Sequence, residues 1–352
     1  AESYTLGTLG KLYEQNRQWE DARTVTEQAL AIAQSLGAAD IAYQWQWQLG
    51  RILKAQNQNP GAIAAYSQAV TTLQSLRNDL VAINTDVQFS FRESVEPVYR
   101  QLVELLVQPG SSGVPSQENL ARARTVIESL QLAELDNFFR EACLEVEARP
   151  IDDLDPTAAV LYPVILPDRL EVILSLPGQP LRHYATHQPQ SVIEAGIQQM
   201  QISLRPTSFT QERLIAAQQL YRWLLQPVAA ELAQRQVKTL VFVLDGSLRG
   251  VPMAALHDGE RYLIEQYQIA LTPSLQLFSP RKVQNIEMRA LVGGLSAGTA
   301  EVTPLPGVQQ EVEEIQRQMV SQVLLDQGFT TTAFKQQVRS APFTVVHLAT
   351  HG

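Results

Sequence analysis

The residues best placed to do chemistry close the chain, in the run VVHLATHG from Val345 to Gly352. An imidazole just past a buried apolar strand has fixed backbone behind it, so His351 is positioned to accept and return a proton. Gly352 carries no side chain, and its N–H can therefore come up against a substrate carbonyl as an oxyanion-hole donor. The same residues also read as a polar strand end in a turn, and spacing alone does not separate the two. His347 and His351 are four apart, as in the zinc motif of a helix. Here Val345, Val346, Leu348 and Ala349 favour a strand, which at ~3.3 Å per residue puts their Cα atoms about 13 Å apart. Leu348 also stands where that motif has its Glu, so neither a metal nor any cofactor is expected.

Three other groups invite chemical readings. Gly293, Gly294 and Gly298 follow a strand, yet no Gly-Lys-Ser/Thr ending is present and the next helix starts well beyond them, so a substrate or structural loop fits better than a phosphate cradle. Asp245-Gly246-Ser247 lacks the first glycine of a nucleophile elbow, which leaves Ser247 a weak nucleophile candidate. Cys143, the one cysteine, reads as a buried packing thiol beside Phe138, Phe139 and Leu144.

The elements that must position these residues fall into two textures. Residues 4–145 are rich in Ala, Leu, Gln and Glu, and the chain resembles itself on a shift of 40. Leu9-Gly10 falls on Leu49-Gly50, Tyr13 on Leu53, Ala22 on Ala62, and Ala29 on Ala69. A turn at Asn16-Arg17-Gln18 has its counterpart at Asn57 to Gly61. Small residues that let backbones approach, alternating with Tyr13, Leu30, Tyr66 and Val70, predict antiparallel helix pairs. A divergent pair follows: Val95 to Val107, a break at Pro109 to Pro115, then a helix capped by Ser116 with Leu120, Ala123, Ile127, Leu130 and Leu135 at helical spacing.

After Arg149-Pro150 the pattern predicts an antiparallel meander: Ala158 to Leu166, Leu170 to Leu176, and a short strand through Tyr184. Helices are expected over Ser191–Leu204 and Thr210–Gln234, then a buried strand from Thr239 to Leu244. From Arg289 the order is strand, helix, strand, helix, strand, ending with Phe343 to Ala349, which predicts a parallel sheet with right-handed crossovers. Chemistry gathers beyond the carboxyl ends of such strands. That geometry nominates the loop from Leu295 to Pro306, with Leu295, Ser296 and Pro306 as substrate-binding candidates, together with the Thr350-His351-Gly352 end.

Composition bounds the rest. The 352 residues carry a formal net charge of −9, against a basic nucleic-acid surface, and no apolar run is long enough to span a membrane. A single cysteine fits a reducing, cytoplasmic setting. The chain opens without Met directly into a helical pattern, so its natural start is expected upstream.

The repeat residues resemble a tetratricopeptide repeat, the longer spacing suiting a long-helix variant. From there on, segments resemble the CHAT domain, a caspase- and separase-like peptidase fold. They are the lead-in helix Leu120 to Cys143, the signature Phe242 to Pro252 with Tyr262-Leu263-Ile264, Leu305-Pro306-Gly307 with Glu311-Val312, and His347 to Gly352. The resemblance implies α-helical hairpin repeats over 1–78, a divergent helical link over 79–149, and a CHAT domain over 150–352. Within that domain, 288–352 forms the first part of a largely parallel caspase-like α/β core. It further implies that His351 is the catalytic histidine and Gly352 the oxyanion-hole residue. The nucleophilic cysteine is expected some ~50 residues past the histidine, beyond this chain. The expected activity is cleavage of a protein substrate, with a protein or peptide partner in the repeat groove. The alternative is a non-catalytic interaction scaffold with a degenerate caspase-like part.

Overall fold

The computed structural model describes residues 1–83, 91–110, 113–139, 155–275, 288–297 and 303–350; Cys143, His351 and Gly352 lie outside them. The chain divides into two compact units, Ala1–Pro280 and Arg281–Gly352.

The first unit opens with helix pairs α1 (Glu2–Gln15) with α2 (Trp19–Ser35) and α3 (Ala39–Ala55) with α4 (Asn59–Ile83). The 40-residue repeat is visible in the backbone. Arg17 and Asn57 both adopt φ 59°, and each is followed by a residue whose N–H reaches back five positions, Gln18 to Tyr13 and Gln58 to Leu53, both at 2.9 Å. A left-handed residue after a helix, closed by that return bond, satisfies carbonyls the helix end leaves open. The second turn is shorter than the sequence pattern suggested. Pro60 and Gly61 belong to the first turn of α4, where a missing N–H costs nothing. Ala22, Ala29, Ala62 and Ala69 are fully buried, as close helix packing requires.

Two further helices, α5 (Glu96–Leu106) and α6 (Gln117–Phe139), follow; the Ser116 hydroxyl caps α6 by accepting from Asn119 N–H at 3.1 Å. A five-stranded sheet comes next: β1 (Ala158–Leu166), β2 (Arg169–Ser175), β3 (Arg182–Thr186), β4 (Thr239–Phe242) and β5 (Gln268–Leu271). The order is β3-β2-β1-β4-β5, antiparallel from β1 to β3 and parallel from β1 through β5.

Strand alternation decides what each face meets. Val160, Tyr162 and Val164 of β1 join one core with Val98 and Leu102 of α5, Leu120 and Ile127 of α6, and Tyr66 and Ala69 of α4. Ala159, Leu161 and Ile165 enter a second core with α7 (Gln190–Ser203), α8 (Thr210–Leu224) and α9 (Ala229–Gln234). The single helix expected over Thr210–Gln234 is interrupted, because Pro227 cannot donate to the preceding turn. A buried carboxylate also stitches the layers: Glu128 of α6 accepts from Tyr162 Oη at 3.0 Å and from Ser274 Oγ, just past β5, at 2.6 Å.

The second unit is β6 (Arg289–Gly294), α10 (Gly307–Gln318), β7 (Val320–Leu325), α11 (Thr331–Ser340) and β8 (Val345–Ala349). Its sheet is fully parallel with order β7-β6-β8, so the predicted strand–helix alternation is present. Val308 and Val312 of α10 pack on Ala290 and Val292 of β6. Among the described residues, no helix is long and apolar enough to cross a membrane.

Candidate functional site

At the carboxyl edge of the second sheet, register fixes which segments are neighbours. Gly294 of β6 pairs with Leu325 of β7 on one side and Ala349 of β8 on the other. Leu295, the first residue past β6, donates its N–H to Ala349 carbonyl at 3.0 Å. The Leu295 loop and Thr350 therefore leave adjacent strands at one edge, next to each other. Gly293 and Gly294 lie within β6 itself. A Cβ on Gly294 would come within 2.8 Å of Val308 Cγ1, and one on Gly293 would strike the Phe329 ring, so these glycines make room for α10 and for Phe329.

The three candidates of this loop have different fates. Ser296 is buried, and its hydroxyl donates to Asp326 Oδ2 at 2.8 Å while its N–H donates to Oδ1 at 2.6 Å. Ala297 N–H adds a third bond to Oδ1 at 2.8 Å. Leu295 is half-buried, and Pro306 is exposed at the N-cap of α10. The loop ends are joined, since Leu305 N–H reaches Ser296 carbonyl at 3.0 Å. Ser296 thus shapes the loop, with its hydroxyl, N–H and carbonyl all engaged in holding it, while Leu295 is partly open to solvent and Pro306 is exposed.

Asp326 was not among the sequence candidates, because Asp-Gln-Gly after a strand reads as an ordinary turn and Ser296 is 30 residues away. It adopts φ 48°, which costs a residue with a Cβ, and its three bonds compensate. Those bonds, led by the Ala297 N–H and the Ser296 hydroxyl, hold its carboxyl below the ordinary 3.8. A carboxylate with a depressed folded-state pKa contributes its full effect above its unfolded value and loses it as pH falls through the folded value. The Asp326 clamp is accordingly expected to survive at pH 4 and to release only in stronger acid. Following the Asp326 carboxyl carbon by NMR checks this; titration at or above 3.8 would contradict it. Asp326→Gly keeps the backbone conformation and removes the bonds, so amide exchange at Ser296 and Ala297 should accelerate at least tenfold while the second unit stays folded.

His347 sits inside β8 with Nε2 3.2 Å from Glu311 Oε1 of α10, close enough for attraction but not aligned as a hydrogen bond. His351 and Gly352, the catalytic candidates, fall outside the described residues, as does Cys143.

The signature segment of the first unit also resolves into roles. Asp245, just past β4, is 1% exposed and accepts from Arg100 Nη1 at 2.6 Å, Arg100 Nη2 at 2.8 Å and Ile165 N–H at 3.1 Å. Burial alone would lower the Arg100 pKa; the bonds and charge of Asp245, with Glu96, outweigh it and raise it. Arg249 donates from Nε to Leu244 carbonyl at 3.1 Å and from Nη2 to Gln131 and Glu134 of α6. Burial pushes the Glu134 carboxyl up even against that guanidinium. Asp245 and Arg249 therefore fasten the sheet edge to α5 and α6. Ser247 lies exposed in the one-turn helix Gly246–Gly250, and among the described residues no histidine bonds its hydroxyl, which removes support for a serine nucleophile.

Comparison with protein families matches residues 214–352 to the CHAT domain. The match begins inside α8 and takes in β4, β5 and the whole second unit. No curated protein matches the chain.

Proposed function

We propose, from the caspase-like CHAT domain at 214–352, that this chain is the histidine-bearing part of a repeat-regulated cysteine endopeptidase. The observation that carries the reading is the Leu295–Ala349 hydrogen bond, which brings the Ser296 loop beside the exit of the strand leading to His351. In this reading a cysteine downstream of Gly352 supplies the thiolate, which attacks the scissile carbonyl of a protein substrate. His351 takes the thiol proton and returns it to the leaving amine, and Gly352 N–H meets the developing oxyanion. A hydrolysing water then releases the acyl group and restores the thiol. Supporting this, β8 is an edge strand of the described sheet, and its outer backbone edge can pair with a further strand.

The helix pairs α1–α4 would hold a protein or peptide partner and bias the peptidase between two arrangements, with differential affinity for them as the driving term. A thiol enzyme of this kind suits the reducing cytoplasm.

The test is to express the chain with the next ~60 residues of its reading frame and assay a fluorogenic peptide library. We expect cleavage that thiol alkylation abolishes and that His351→Ala lowers by about 10²–10⁴-fold. A residue other than cysteine after the next buried strand, or cleavage indifferent to both treatments, would overturn the peptidase reading. The first of those results would leave the helical repeats as a binding scaffold.

A further inference from the structure

The carboxyl ends of β1, β4 and β5 in the first unit carry two adjoining cavities. One, about 580 Å³, is walled mainly by Phe91, Leu135, Phe242, Leu244, Leu271 and Pro273. The other, about 730 Å³, is lined by Glu96, Glu104, Glu134, Glu194 and Asp245 together with Arg100 and Arg249. Arg100 pairs with Glu96 and Asp245, Arg249 with Glu134 and Lys54 with Glu104, which among the described residues leaves Glu194 without an ion pair. Glu96, Glu134 and Arg249 border both, so the two open on either side of one shared wall. The apolar cavity also has a polar fixture. Gln131, 1% exposed, forms part of its wall, and the Arg249 guanidinium occupies Oε1. That bond fixes the amide orientation, because a flipped amide would turn NH2 toward the cation. Nε2 is left buried without a partner. A buried donor lacking an acceptor is a standing cost, which a carbonyl entering the cavity offsets once the wall shifts to expose Nε2.

An apolar cavity, a cavity beside it with one carboxylate not held in an ion pair and an unmet N–H donor in the wall ask for a bulky apolar group, a cation and a carbonyl on one ligand. Adjacent residues of a peptide supply all three from one backbone, with side chains pointing apart. We propose that the edge of this first sheet is a peptide-binding site for an extended segment pairing a lysine or arginine with a neighbouring bulky apolar residue. The apolar side chain fills the cavity under Phe242 and Leu244, and the cation pairs with the Glu194 carboxylate. The site belongs wholly to the first unit, and its occupancy does not require the peptidase reading to hold.

The experiment uses the 352-residue chain and fluorescein-labelled hexapeptides Gly-Gly-Lys-Phe-Gly-Gly, Gly-Gly-Glu-Phe-Gly-Gly and Gly-Gly-Lys-Ala-Gly-Gly, read by fluorescence anisotropy. The Lys-Phe peptide should bind at least tenfold more tightly than either of the others. Two variants at exposed positions, which leave the core alone, separate the cavities. Leu271→Arg places a cation at the apolar mouth and should weaken the Lys-Phe peptide at least tenfold. Glu194→Lys should weaken it severalfold and erase its advantage over the Glu-Phe peptide. Equal binding of Lys-Phe and Glu-Phe would mark a merely apolar pocket and overturn the proposal. So would binding that both variants leave unchanged, provided their melting curves match that of the parent chain.

Discussion

Asp245→Ala should destabilise the first unit by about 3 kcal/mol, near the lower end of what removing one partner of a buried ion pair costs. The carboxylate is almost fully buried and takes both Arg100 Nη donors and the Ile165 N–H. Its loss strands a desolvated guanidinium and an unmet backbone donor together. Arg100 retains Glu96 at 2.6 Å, and its side chain is 22% exposed, which is why the upper end of the range is not expected. Asp245→Asn keeps an acceptor for Ile165 and should cost less. Arg100→Met with Asp245→Leu removes both charges of the pair and should cost less than Asp245→Ala alone, because no desolvated guanidinium is stranded and Glu96, left without its partner, is partly open to solvent. All four tryptophans, Trp19, Trp45, Trp47 and Trp223, lie in the first unit, so urea unfolding followed by their fluorescence reports on that unit. A loss under 1 kcal/mol for Asp245→Ala would mean that solvent reaches the pair.

Gly50→Ala should destabilise the helix array by about 1–3 kcal/mol, although helix propensity alone favours alanine by up to about 1 kcal/mol. A Cβ at residue 50 would lie 2.7 Å from Tyr66 Cδ2, and Tyr66 is fully buried with its hydroxyl bonded to Gln101 at 2.8 Å. The ring has no space to retreat into without breaking that bond, so the clash wins over propensity. Gly61→Ala is the control: its nearest neighbour would be a Leu53 methyl at 3.4 Å, and the change should be neutral or mildly stabilising. Equal effects from the two substitutions would show that packing against Tyr66 is loose.

What the sequence disclosed follows from how local each signal is. The meander was legible because β1 and β2 carry long apolar runs joined by Pro167-Asp168-Arg169. The second sheet was legible because its strand–helix alternation admits few topologies. The repeat announced itself through paired small residues and matching turns, whereas the left-handed backbone at Arg17 and Asn57 is visible only in the structure. β5 escaped notice because Gln268–Leu271 is four residues long and only partly buried, too little for a period of two to stand out. Pro227 should have ended the long helix in any reading that gave it full weight. The ionic contacts were out of reach for another reason. Arg100 and Asp245 are 145 residues apart, and nothing in the apolar stripe of α5 says that its charged face will meet a sheet edge. Asp326 and Ser296 pose the same difficulty over a shorter span.

The placement of α5 has a practical side. One residue from Arg100, Gln101 accepts from Trp47 Nε1 and from Tyr66 Oη, both at 2.8 Å, and Lys54 holds Glu104 at 2.8 Å. The same short helix thus grips the repeats with one set of side chains and the sheet with another. Anyone grafting these repeats onto a foreign protein would have to carry α5 and α6 with them. A cut made between would strip cover from Val160, Tyr162 and Val164 and present an adhesive surface to every neighbouring molecule.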